Sequence, residues 1–351
     1  MIAIIYNSSI KNLFYKYAEL LKNEFDNINI TSHIYSSQSI YEMNGIYNFN
    51  SAVYLDKDII LGNMLENANI RLFNPIESIR ICDDKRLTFL KLHNKYPFPK
   101  TVFSPIFFTY DKKLINDFIK HVENSFNYPF IAKLAQGSLG KEVFLITKKS
   151  ELISFIEMNY TKSMLFCEYL DEFPGKDVRV YVVGSKVIAS MMRYNPNDFR
   201  SNIALSGKGF DYKISESTKE MCIGIANDLQ LDFCGIDLLF KNGTPSVICE
   251  VNSNAHFKNL YDCTAINVAE KILEATNILV ALSSDPSVDE MAAAIGLSIY
   301  LDKMGKRATA IYSGATPNAL QFLKPEETFA EKADTLQDFV IALNKEKADH
   351  L

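Results

Sequence analysis

The sequence has no apolar run long enough to cross a membrane and no excess of basic residues. Its longest apolar stretches, around residues 278–282 and 292–301, are short or interrupted, whereas a transmembrane helix needs about 20 apolar residues. The 37 Lys and Arg residues are outnumbered by 42 Asp and Glu residues, which gives a formal net charge of −5. We therefore expect no membrane partner and no nucleic-acid partner, because both classes of binder use basic surfaces.

Paired cysteines and a secretion signal are also lacking. The six cysteines stand singly among apolar residues and form no C-x-x-C pair: Cys82, Cys167, Cys222, Cys234, Cys249 and Cys263. The start, MIAIIYNSS, has no basic segment followed by a long apolar one, so it predicts a first strand rather than a signal peptide. Reduced, mostly buried thiols and no leader predict a cytoplasmic protein.

The composition of the chain changes near residue 276. Residues 1–276 contain 26 asparagines and 13 alanines, whereas residues 277–351 contain 3 asparagines and 12 alanines. With 351 residues, two or three domains are expected. We predict domain boundaries at 1–95, 96–276 and 277–351.

Strands and helices alternate in the first part of the chain. Strands at 2–6, 52–55 and 70–73, with helices at 11–24 and 59–66 between them, predict a small parallel α/β unit. One helix is expected at 77–94, ended by Pro97 and Pro99. From residue 129 onward strands dominate, with helices at 151–158 and 217–229, which predicts an α+β nucleotide-binding unit. The predicted fold class is therefore α/β combined with α+β.

The segment PFIAKLAQGSLGKEVFLI places Lys133 in an apolar strand just before Gly137, Ser138 and Gly140. A buried lysine is costly unless an anion pairs with it, and a glycine loop can point backbone N–H groups at phosphate oxygens. The alternative is a hairpin with a lysine that reaches solvent. The loop is not a Walker A motif, because Ala135 stands where the first glycine would be.

The segments CGIDLLF and PSVICEVNSN carry acids inside apolar strands. Asp237 and Glu250 lie within them, and Asn252 follows Glu250 on the same strand face. Two carboxylates and an amide oxygen suit Mg²⁺ shared with nucleotide phosphates. Two salt-bridged core acids are the alternative, and we favour the metal.

Arginines lie between these two motifs. Asp177 and Arg179 share one face of a strand, and Arg193, Arg200 and Asn202 follow. Guanidinium groups can grip a carboxylate or a phosphoryl group with two hydrogen bonds, although any one of them could be a surface ion pair.

Taken in order, these motifs resemble the ATP-grasp superfamily. The resemblance rests on Lys85 in ICDDK, Lys133 before GSLG, Glu168 in FCEYL, KDVRV at 176–180, FRSN at 199–202, Asp237, and CEVNSN at 249–254. It is greatest to the RimK-type ligases, which join an amine to a carboxylate and often add α-L-glutamate. It covers residues 1–275 and implies an N-terminal Rossmann-like pre-ATP-grasp domain followed by the ATP-grasp fold.

The resemblance implies a role for each matched residue. Lys85, Lys133, Gly137, Ser138 and Gly140 would bind the nucleotide phosphates, and Glu168, Tyr169, Asp177 and Arg193 would complete the nucleotide site. Arg179, Arg200 and Asn202 would act on the reacting groups, and Asp237, Glu250 and Asn252 would hold Mg²⁺, with Mn²⁺ as an alternative ion.

The sequence departs from the family pattern at two points. Lys141 and Glu142 follow Gly140 where many relatives have a further glycine. Ser253, Asn254 and Ala255 follow Asn252 where many relatives have Ser-Pro-Gly, so specificity for glutamate does not follow from the resemblance. His256, next along the chain, could contact substrate or cap a turn, and we favour the cap.

The expected activity is an ATP- and Mg²⁺-dependent carboxylate–amine ligase that works through an acyl phosphate and releases ADP and phosphate. Its partners would be small-molecule or peptide carboxylates and amines, and the sequence leaves a homo-oligomer open. The alternatives are a nucleotide-binding module without catalysis and, less favoured, a phosphoesterase that uses the C-terminal segment.

The C-terminal segment 277–351 predicts a strand, an acidic loop, a helix and a second strand, which is a Rossmann-like half-domain. It resembles the opening of DHH-family phosphoesterases, whose strand ends in a His-x-x-x-Asp-x-Asp metal motif. The corresponding positions here are Ser283, Ser287 and Asp289, so two of the three ligands are absent. Asp285, Asp289 and Glu290 could bind a cation, but helix capping is the favoured role. We expect the segment to be catalytically inert.

Overall fold

The computed structural model describes residues 2–27, 31–137, 140–202, 207–255, 257–273, 277–284, 287–303, 307–313, 329–330 and 339–342. Its strands are β1 (Ile2–Tyr6), β2 (Ser32–Ser36), β3 (Ser51–Leu55), β4 (Arg71–Phe73), β5 (Thr101–Phe103), β6 (Phe130–Leu134), β7 (Val143–Ile146), β8 (Met164–Glu168), β9 (Lys176–Val183), β10 (Lys186–Tyr194), β11 (Lys208–Asp211), β12 (Phe233–Lys241), β13 (Thr244–Asn252), β14 (Asn277–Ser284), β15 (Arg307–Ser313), β16 (Phe329–Ala330) and β17 (Phe339–Ala342).

The α-helices are α1 (Lys11–Asn27), α2 (Ser37–Glu42), α3 (Ile59–Asn67), α4 (Ile76–Asp83), α5 (Lys85–Leu92), α6 (Lys112–Ser125), α7 (Lys149–Asn159), α8 (Glu216–Asp228), α9 (Lys258–Thr264), α10 (Val268–Leu273) and α11 (Val288–Lys303), and a 3-10 helix spans Ser8–Ile10. Within the described part of the chain, no helix combines the length and the apolar character that a membrane crossing requires.

The first four strands form a parallel sheet in the order β2-β1-β3-β4. Strands β1 and β3 are buried along nearly their whole length because helices cover the sheet. The alternation of strands and helices in the sequence predicts this parallel arrangement. Strand β2 was not predicted, since its sequence, SHIYS, is too polar to stand out from a loop.

The single helix predicted over 77–94 is wrong, because the structure has two helices that meet at Asp84. This residue is extended (φ −107°, ψ 109°), and its carboxylate accepts a hydrogen bond from the backbone N–H of Arg86. Asp84 is therefore the N-cap of α5. Aspartate is a preferred N-cap residue, so the segment ICDDKR contains a recognisable helix start. The break makes Lys85, a predicted site residue, the first residue of α5.

Two antiparallel sheets follow in the strand-rich second part of the chain, for which the sequence predicts an α+β unit. One has the order β11-β10-β9-β12-β13 and the other β5-β8-β6-β7. The predicted strands at 130–134 and 143–146 coincide with β6 and β7. Strands β5 and β11 and helix α6 were missed. The two strands have only three and four residues, whereas α6 has strongly amphipathic spacing that should have been recognised.

The five-stranded sheet packs on the parallel sheet through one shared core. Ile4 and Val53 of the parallel sheet belong to the same buried cluster as Tyr181 and Met191 of the antiparallel sheet, with Leu260 of α9. A second core, with Val180, Ile236 and Cys222 among its members, covers the opposite face under α8. Burial on both faces fixes the strand register, so that charged side chains at the strand ends meet in defined rows.

The C-terminal strands form a parallel sheet in the order β16-β15-β14-β17. The predicted order of strand, loop, helix and strand corresponds to β14, α11 and β15. Ser287 and Glu290 form a capping box at the start of α11: the Glu290 carboxylate accepts from the Ser287 backbone N–H at 2.7 Å, and the Glu290 N–H donates to Ser287 Oγ at 3.3 Å. This agrees with the favoured capping role, whereas Asp285 lies outside the described residues.

All six cysteines are free, as their spacing predicts, and four of them are buried.

Candidate active site

A cleft between the two antiparallel sheets brings together most of the predicted site residues. The central cleft is lined by the predicted residues Lys85, Lys133, Gly137, Gly140, Glu168, Tyr169, Asp177, Arg193, Arg200, Asn202, Asp237 and Glu250. Arg179 and Asn252 do not line it, and Ser138 and His256 lie outside the described residues. Residues from six separate sequence segments thus converge on one surface.

Lys85 connects the glycine loop to the acidic strand β13. Its Nζ donates to the carbonyl oxygen of Gly137 at 3.2 Å and lies 3.8 Å from a carboxylate oxygen of Glu250. Gly137 has φ +137°, and a Cβ at this position would lie 2.5 Å from the carboxylate of Glu142. The positive φ therefore disfavours any side chain there, whereas the Glu142 carboxylate is the flexible end of a side chain that could move aside.

Lys133 lies inside the molecule and does not reach solvent. The residue is 8% exposed, and its Nζ lies 3.8 Å from Sγ of Cys249. Burial opposes the charged ammonium form, but Cys249, Cys167 and Glu250 outweigh it and raise the pKa of Lys133 above its usual value. The hairpin of β6 and β7 is present, yet the lysine within it is a buried cation that faces the central cleft.

The strand register sets charged residues side by side across the five-stranded sheet. Arg179 of β9 is the register partner of Asp237 of β12, whose partner on β13 is Glu250. One row along, Asp177 of β9 is paired with Arg193 of β10. Residues far apart in sequence therefore form one charged surface, since partners in a ladder point to the same face.

Asp237 and Asp177 are held by arginines. Arg179 forms two hydrogen bonds to the Asp237 carboxylate, both at 2.7 Å, and Arg193 contacts Asp237 at 2.8 Å. Arg193 also forms two hydrogen bonds to Asp177, one of them at 2.7 Å. Burial opposes ionisation of Asp237, yet Arg179 and Arg193 hold the pKa of its carboxyl below its usual value. Asp237 is therefore charged at neutral pH, and the two arginines compensate its charge.

These ion pairs bear on the predicted metal ligands. Asp237 is 2% exposed, and both its oxygens accept hydrogen bonds from guanidinium groups. The structure therefore has a salt-bridged core acid here, which was the alternative to a metal ligand. Its role as a metal ligand stays a prediction. Among the described residues there is no cluster of three His, Cys, Asp or Glu side chains placed to hold a metal.

Glu250 and Asn252 fit a divalent cation better. Glu250 lines the central cleft, and among the described residues only the Lys85 ammonium, at 3.8 Å, lies within ion-pair distance of its carboxylate. The side-chain nitrogen of Asn252 is buried without a hydrogen-bond partner in the described part of the chain. Because the two ends of an amide are assigned by their partners, this end could equally be an oxygen that takes a cation. The donor set is therefore oxygen-rich, which suits Mg²⁺.

Arg200 reaches across the cleft to the glycine loop. Its guanidinium donates to the carbonyl oxygen of Gly140 at 2.9 Å and is paired with Asp198 at 3.0 and 2.7 Å. The hydrogen bond from Arg200 holds the pKa of the Asp198 carboxyl below its usual value. A paired and stacked arginine is pre-positioned, since Phe199 also lies against its guanidinium.

Part of the cleft wall is apolar, and this part was not predicted from the sequence. The wall includes Ile131, Val143, Leu170, Leu239 and Phe240, next to the predicted Glu168 and Tyr169. Ile131, Val143, Leu239 and Phe240 lie in strands, where they could not be told from ordinary core positions, and Leu170 follows β8. An apolar wall beside polar groups suits a planar heterocycle.

Cys249 was also missed as a site residue. The register of β12 and β13 shifts between Asp237 and Leu238, so Cys249 is the extra residue of a β-bulge. The bulge lets the consecutive residues Cys249 and Glu250 both line the central cleft. Burial outweighs the nearby Lys133 and raises the pKa of the Cys249 thiol to about 11, so it is protonated at neutral pH.

A family model described as a RimK-like ATP-grasp domain matches residues 83–276. The chain belongs to this family. That range contains every predicted site residue from Lys85 to Asn252, and the predicted enzyme class, an ATP-grasp ligase, is confirmed.

Relatives and solved structures agree with this assignment of the RimK-like chain. N-acetylaspartylglutamate synthase A of Homo sapiens is 34% identical over 72% of the chain and 63% of its own length. Beta-citrylglutamate synthase B of Danio rerio is 35% identical over 62% of the chain and 53% of its own length. The chain thus spans between half and two thirds of these relatives.

The ATP-grasp fold is also seen in a solved structure, D-alanine–D-alanine ligase from Bacillus anthracis complexed with ATP. It superposes with a TM-score of 0.61 at 16% identity and covers 78% of this chain and 94% of its own. This similarity supports the mixed α/β ATP-grasp fold predicted for the first 275 residues. It does not extend to a function for residues 277–351.

Proposed function

We propose that this protein uses Mg²⁺ and ATP to join a carboxylate to an amine through an acyl phosphate. A carboxylate oxygen attacks the γ-phosphorus, the bond to the β-phosphate oxygen breaks, and ADP leaves. The amine nitrogen then attacks the acyl carbon, and inorganic phosphate leaves as the C–N bond forms. The amine gives up its proton to solvent, and no protein nucleophile takes part.

One observation carries the proposal: Lys85 connects the glycine loop with Glu250. Its Nζ lies 3.2 Å from the Gly137 carbonyl oxygen and 3.8 Å from the Glu250 carboxylate. A phosphate chain in the cleft would run from that loop toward Glu250, and the Lys85 ammonium lies beside this path. Lys133 provides a second cation on the same side. Phosphoryl transfer depends on such fixed positive charge.

The arginines have separate roles in this proposal. Arg200 lies against the loop carbonyl of Gly140 and would stabilise charge on the transferring phosphoryl group and on the tetrahedral adduct, together with Asn202. Arg193 is bound to both Asp177 and Asp237 and lines the cleft. Arg179 does not line the cleft, so we propose that it orients Asp237 rather than contacting the reacting groups.

Glu250 and Asn252 would hold Mg²⁺, with Mn²⁺ as the alternative ion, and Asp237 would join them only while sharing its oxygens with the arginines. Such a cation would neutralise part of the phosphate charge. The apolar wall around Ile131 and Leu239 would take the adenine, next to Glu168 and Tyr169.

The names of the relatives suggest probes for the substrates. Both synthases named above make conjugates of glutamate, with N-acetylaspartate in one case and citrate in the other. We propose a small di- or tricarboxylate, or a peptide, as the acid and an amino acid as the amine. The segment Ser253–Asn254–Ala255 differs from Ser-Pro-Gly, so acids and amines should both be tested as panels.

The test is hydroxamate formation from Mg-ATP, a panel of acids and hydroxylamine. We expect one acid to support stoichiometric ADP and hydroxamate, and we expect Glu250→Gln to lower this rate at least a hundredfold. Glu77→Gln is the matched control, because Glu77 forms only a surface pair with Arg80. If ATP binds but no acid yields hydroxamate, the proposal fails in favour of a binding module without catalysis.

For the rest of the chain we propose the three-part division at 1–95, 96–276 and 277–351, with a Rossmann-like pre-ATP-grasp unit first. We further propose that 277–351 is a DHH-like appendage without catalysis. Ser283 and Ser287 at two ligand positions support this, as does the use of Glu290 in the capping box. A cytoplasmic location, a homo-oligomer and the lack of nucleic-acid and membrane partners stay predictions.

A further inference from the structure

Only one of the two carboxylate oxygens of Asp56, which follows β3, has hydrogen-bond donors among the described residues. The residue is 3% exposed. Its Oδ1 accepts from Nδ2 of Asn7 at 2.7 Å and from the backbone N–H groups of Lys57 at 2.6 Å and Asp58 at 3.2 Å. Its Oδ2 is buried and has no hydrogen-bond partner among the described residues. A buried anionic oxygen without a donor is costly, so a donor is expected there.

A second unpaired acceptor belongs to Asn254, which bonds to the same residue. Its Nδ2 donates to the backbone carbonyl oxygen of Asp56 at 2.9 Å. Because only the amide nitrogen can donate to a carbonyl, this contact fixes the orientation of the amide. The other end is therefore an oxygen, and this Oδ1 is buried without a partner in the described part of the chain. Two acceptors at one junction lack donors.

The junction is close in sequence to the proposed metal-binding residues. Asn254 follows the proposed metal-binding residues Glu250 and Asn252 by a few positions, and Asn74 fixes this turn by donating to the carbonyl of Ser253 at 2.7 Å. On the other side, Lys57 is paired with Asp83 at 2.6 Å, two residues before Lys85. The nearest lysine in sequence is therefore engaged elsewhere and does not compensate Asp56.

An open cleft lies on the Asn7 side of the junction. Asn7, which donates to Asp56, also lines an open cleft with Ser8, Ser9, Ser37 and Gln38 at the carboxyl ends of β1 and β2. In parallel α/β sheets, ligands bind at this edge, where the chain turns to opposite sides of the first strand. The sheet order β2-β1-β3-β4 has that reversal between β1 and β3, which is where Asn7 and Asp56 meet.

We propose that Asp56 Oδ2 and Asn254 Oδ1 bind the ammonium group of the amine substrate. This inference rests on the proposed ligase function. An ammonium has three donors and no acceptor, and it compensates the carboxylate charge as well as filling both vacant acceptor positions. A water molecule could donate to both oxygens, but it would leave the charge of Asp56 uncompensated. The site should therefore prefer primary amines over fully alkylated ones.

The first experiment separates binding of the amine from activation of the acid. Amide formation is measured with L-glutamate and a panel of the other amino acids, and hydroxamate formation with hydroxylamine, which is uncharged near neutral pH. For Asp56→Asn we expect at least a tenfold rise in KM for the amino acid, with hydroxamate formation within twofold of the wild type. Asn254→Leu should behave in the same way, which covers the case in which the first variant does not fold.

Asp58→Asn is the matched control. It removes a carboxylate from the same loop, but asparagine still caps α3, so both rates should stay unchanged. If hydroxamate forms and neither Asp56→Asn nor Asn254→Leu changes KM for the amino acid, the inference is overturned while the ligase proposal stands.

A measurement of ammonium binding tests the inference even if the wild type forms no hydroxamate. Thermal unfolding is compared in methylammonium chloride and tetramethylammonium chloride at equal concentration. Only methylammonium can donate to Asp56, so it alone should raise the unfolding temperature of the wild type and of Asp58→Asn, and not that of Asp56→Asn. Equal unfolding temperatures of the wild type in the two salts would count against the site.

Discussion

At the scale of single residues, Lys85 is the side chain whose contacts matter most to the proposed reaction. It is one of two cations on the phosphate path, and it lies between the Gly137 carbonyl and the Glu250 carboxylate. Lys85→Met should lower the affinity for Mg-ATP at least tenfold, because methionine keeps the chain length and removes the charge. Equilibrium binding of a fluorescent ATP analogue measures this change.

Lys95→Met is the control for this prediction, since Lys95 forms an exposed pair with Asp228 away from the central cleft. Its affinity for the nucleotide should match that of the wild type. Equal affinities of Lys85→Met and the wild type for Mg-ATP would show that Lys85 has a structural role and does not bind the phosphates.

At the same scale, the sequence identified polar site residues better than apolar ones. Lys133, Asp237 and Glu250 could be found because a charge inside an apolar strand needs an explanation. Ile131 and Leu239 could not, because apolar residues in strands are ordinary. The partners of Asp237 could not be predicted either. Its ion pairs with Arg179 and Arg193 depend on the register of three strands, which a single sequence does not reveal.

At the scale of secondary-structure elements, the N-cap at Asp84 determines where α4 ends and α5 begins. Asp84→Ala should lower the free energy of unfolding by about 1 kcal/mol, the usual cost of losing a helix N-cap. The pairing with Arg86 is lost as well, and KM for ATP should rise because Lys85 opens α5. Urea unfolding and steady-state kinetics measure the two effects.

Asp84→Asn should retain most of the stability, since asparagine is an equally good cap. An Asp84→Ala protein as stable as the wild type would mean that the helix break is fixed by packing alone. The predicted single helix over 77–94 failed at this point because the apolar positions continue through the break, and hydrophobic periodicity alone does not register a cap.

At the scale of the whole molecule, buried thiols make the folded state sensitive to alkaline pH. Burial raises the pKa of Cys82 and Cys222 to about 12 and that of Cys249 to about 11, from a usual value of 9.0. Between pH 9 and 11 the unfolded chain therefore releases protons that the folded chain keeps, so stability is complete below pH 9 and falls as the pH rises. One thiol shifted by two pKa units contributes about 3 kcal/mol to this loss.

Urea unfolding under reducing conditions between pH 7 and 11 tests this prediction. We expect a steady midpoint up to pH 9 and a lower one at pH 11, with a smaller fall for Cys249→Ala. A midpoint that does not change with pH, or an equal fall in the variant, would show that this thiol is not protected from ionisation in the folded state.

The overall architecture was largely predictable from the sequence, because local patterns set it. Strands β1, β6 and β7 have the predicted bounds, and the ordered motifs lead to the ATP-grasp fold that the structure has. What could not be predicted is how elements distant in sequence meet. Asp56 and Asn254 are brought together by the packing of the parallel sheet on the five-stranded sheet, and neither carries a motif that would mark it.

Transfer of ¹⁸O from the acid to phosphate tests the central claim most directly. The acid that supports hydroxamate formation is labelled with ¹⁸O in its carboxylate, and the phosphate released with the amide is analysed by mass spectrometry. The proposed acyl phosphate requires one ¹⁸O atom in each phosphate, because the carboxylate oxygen becomes bonded to phosphorus and leaves with it. Phosphate without ¹⁸O, released while the amide forms, would contradict the proposed reaction.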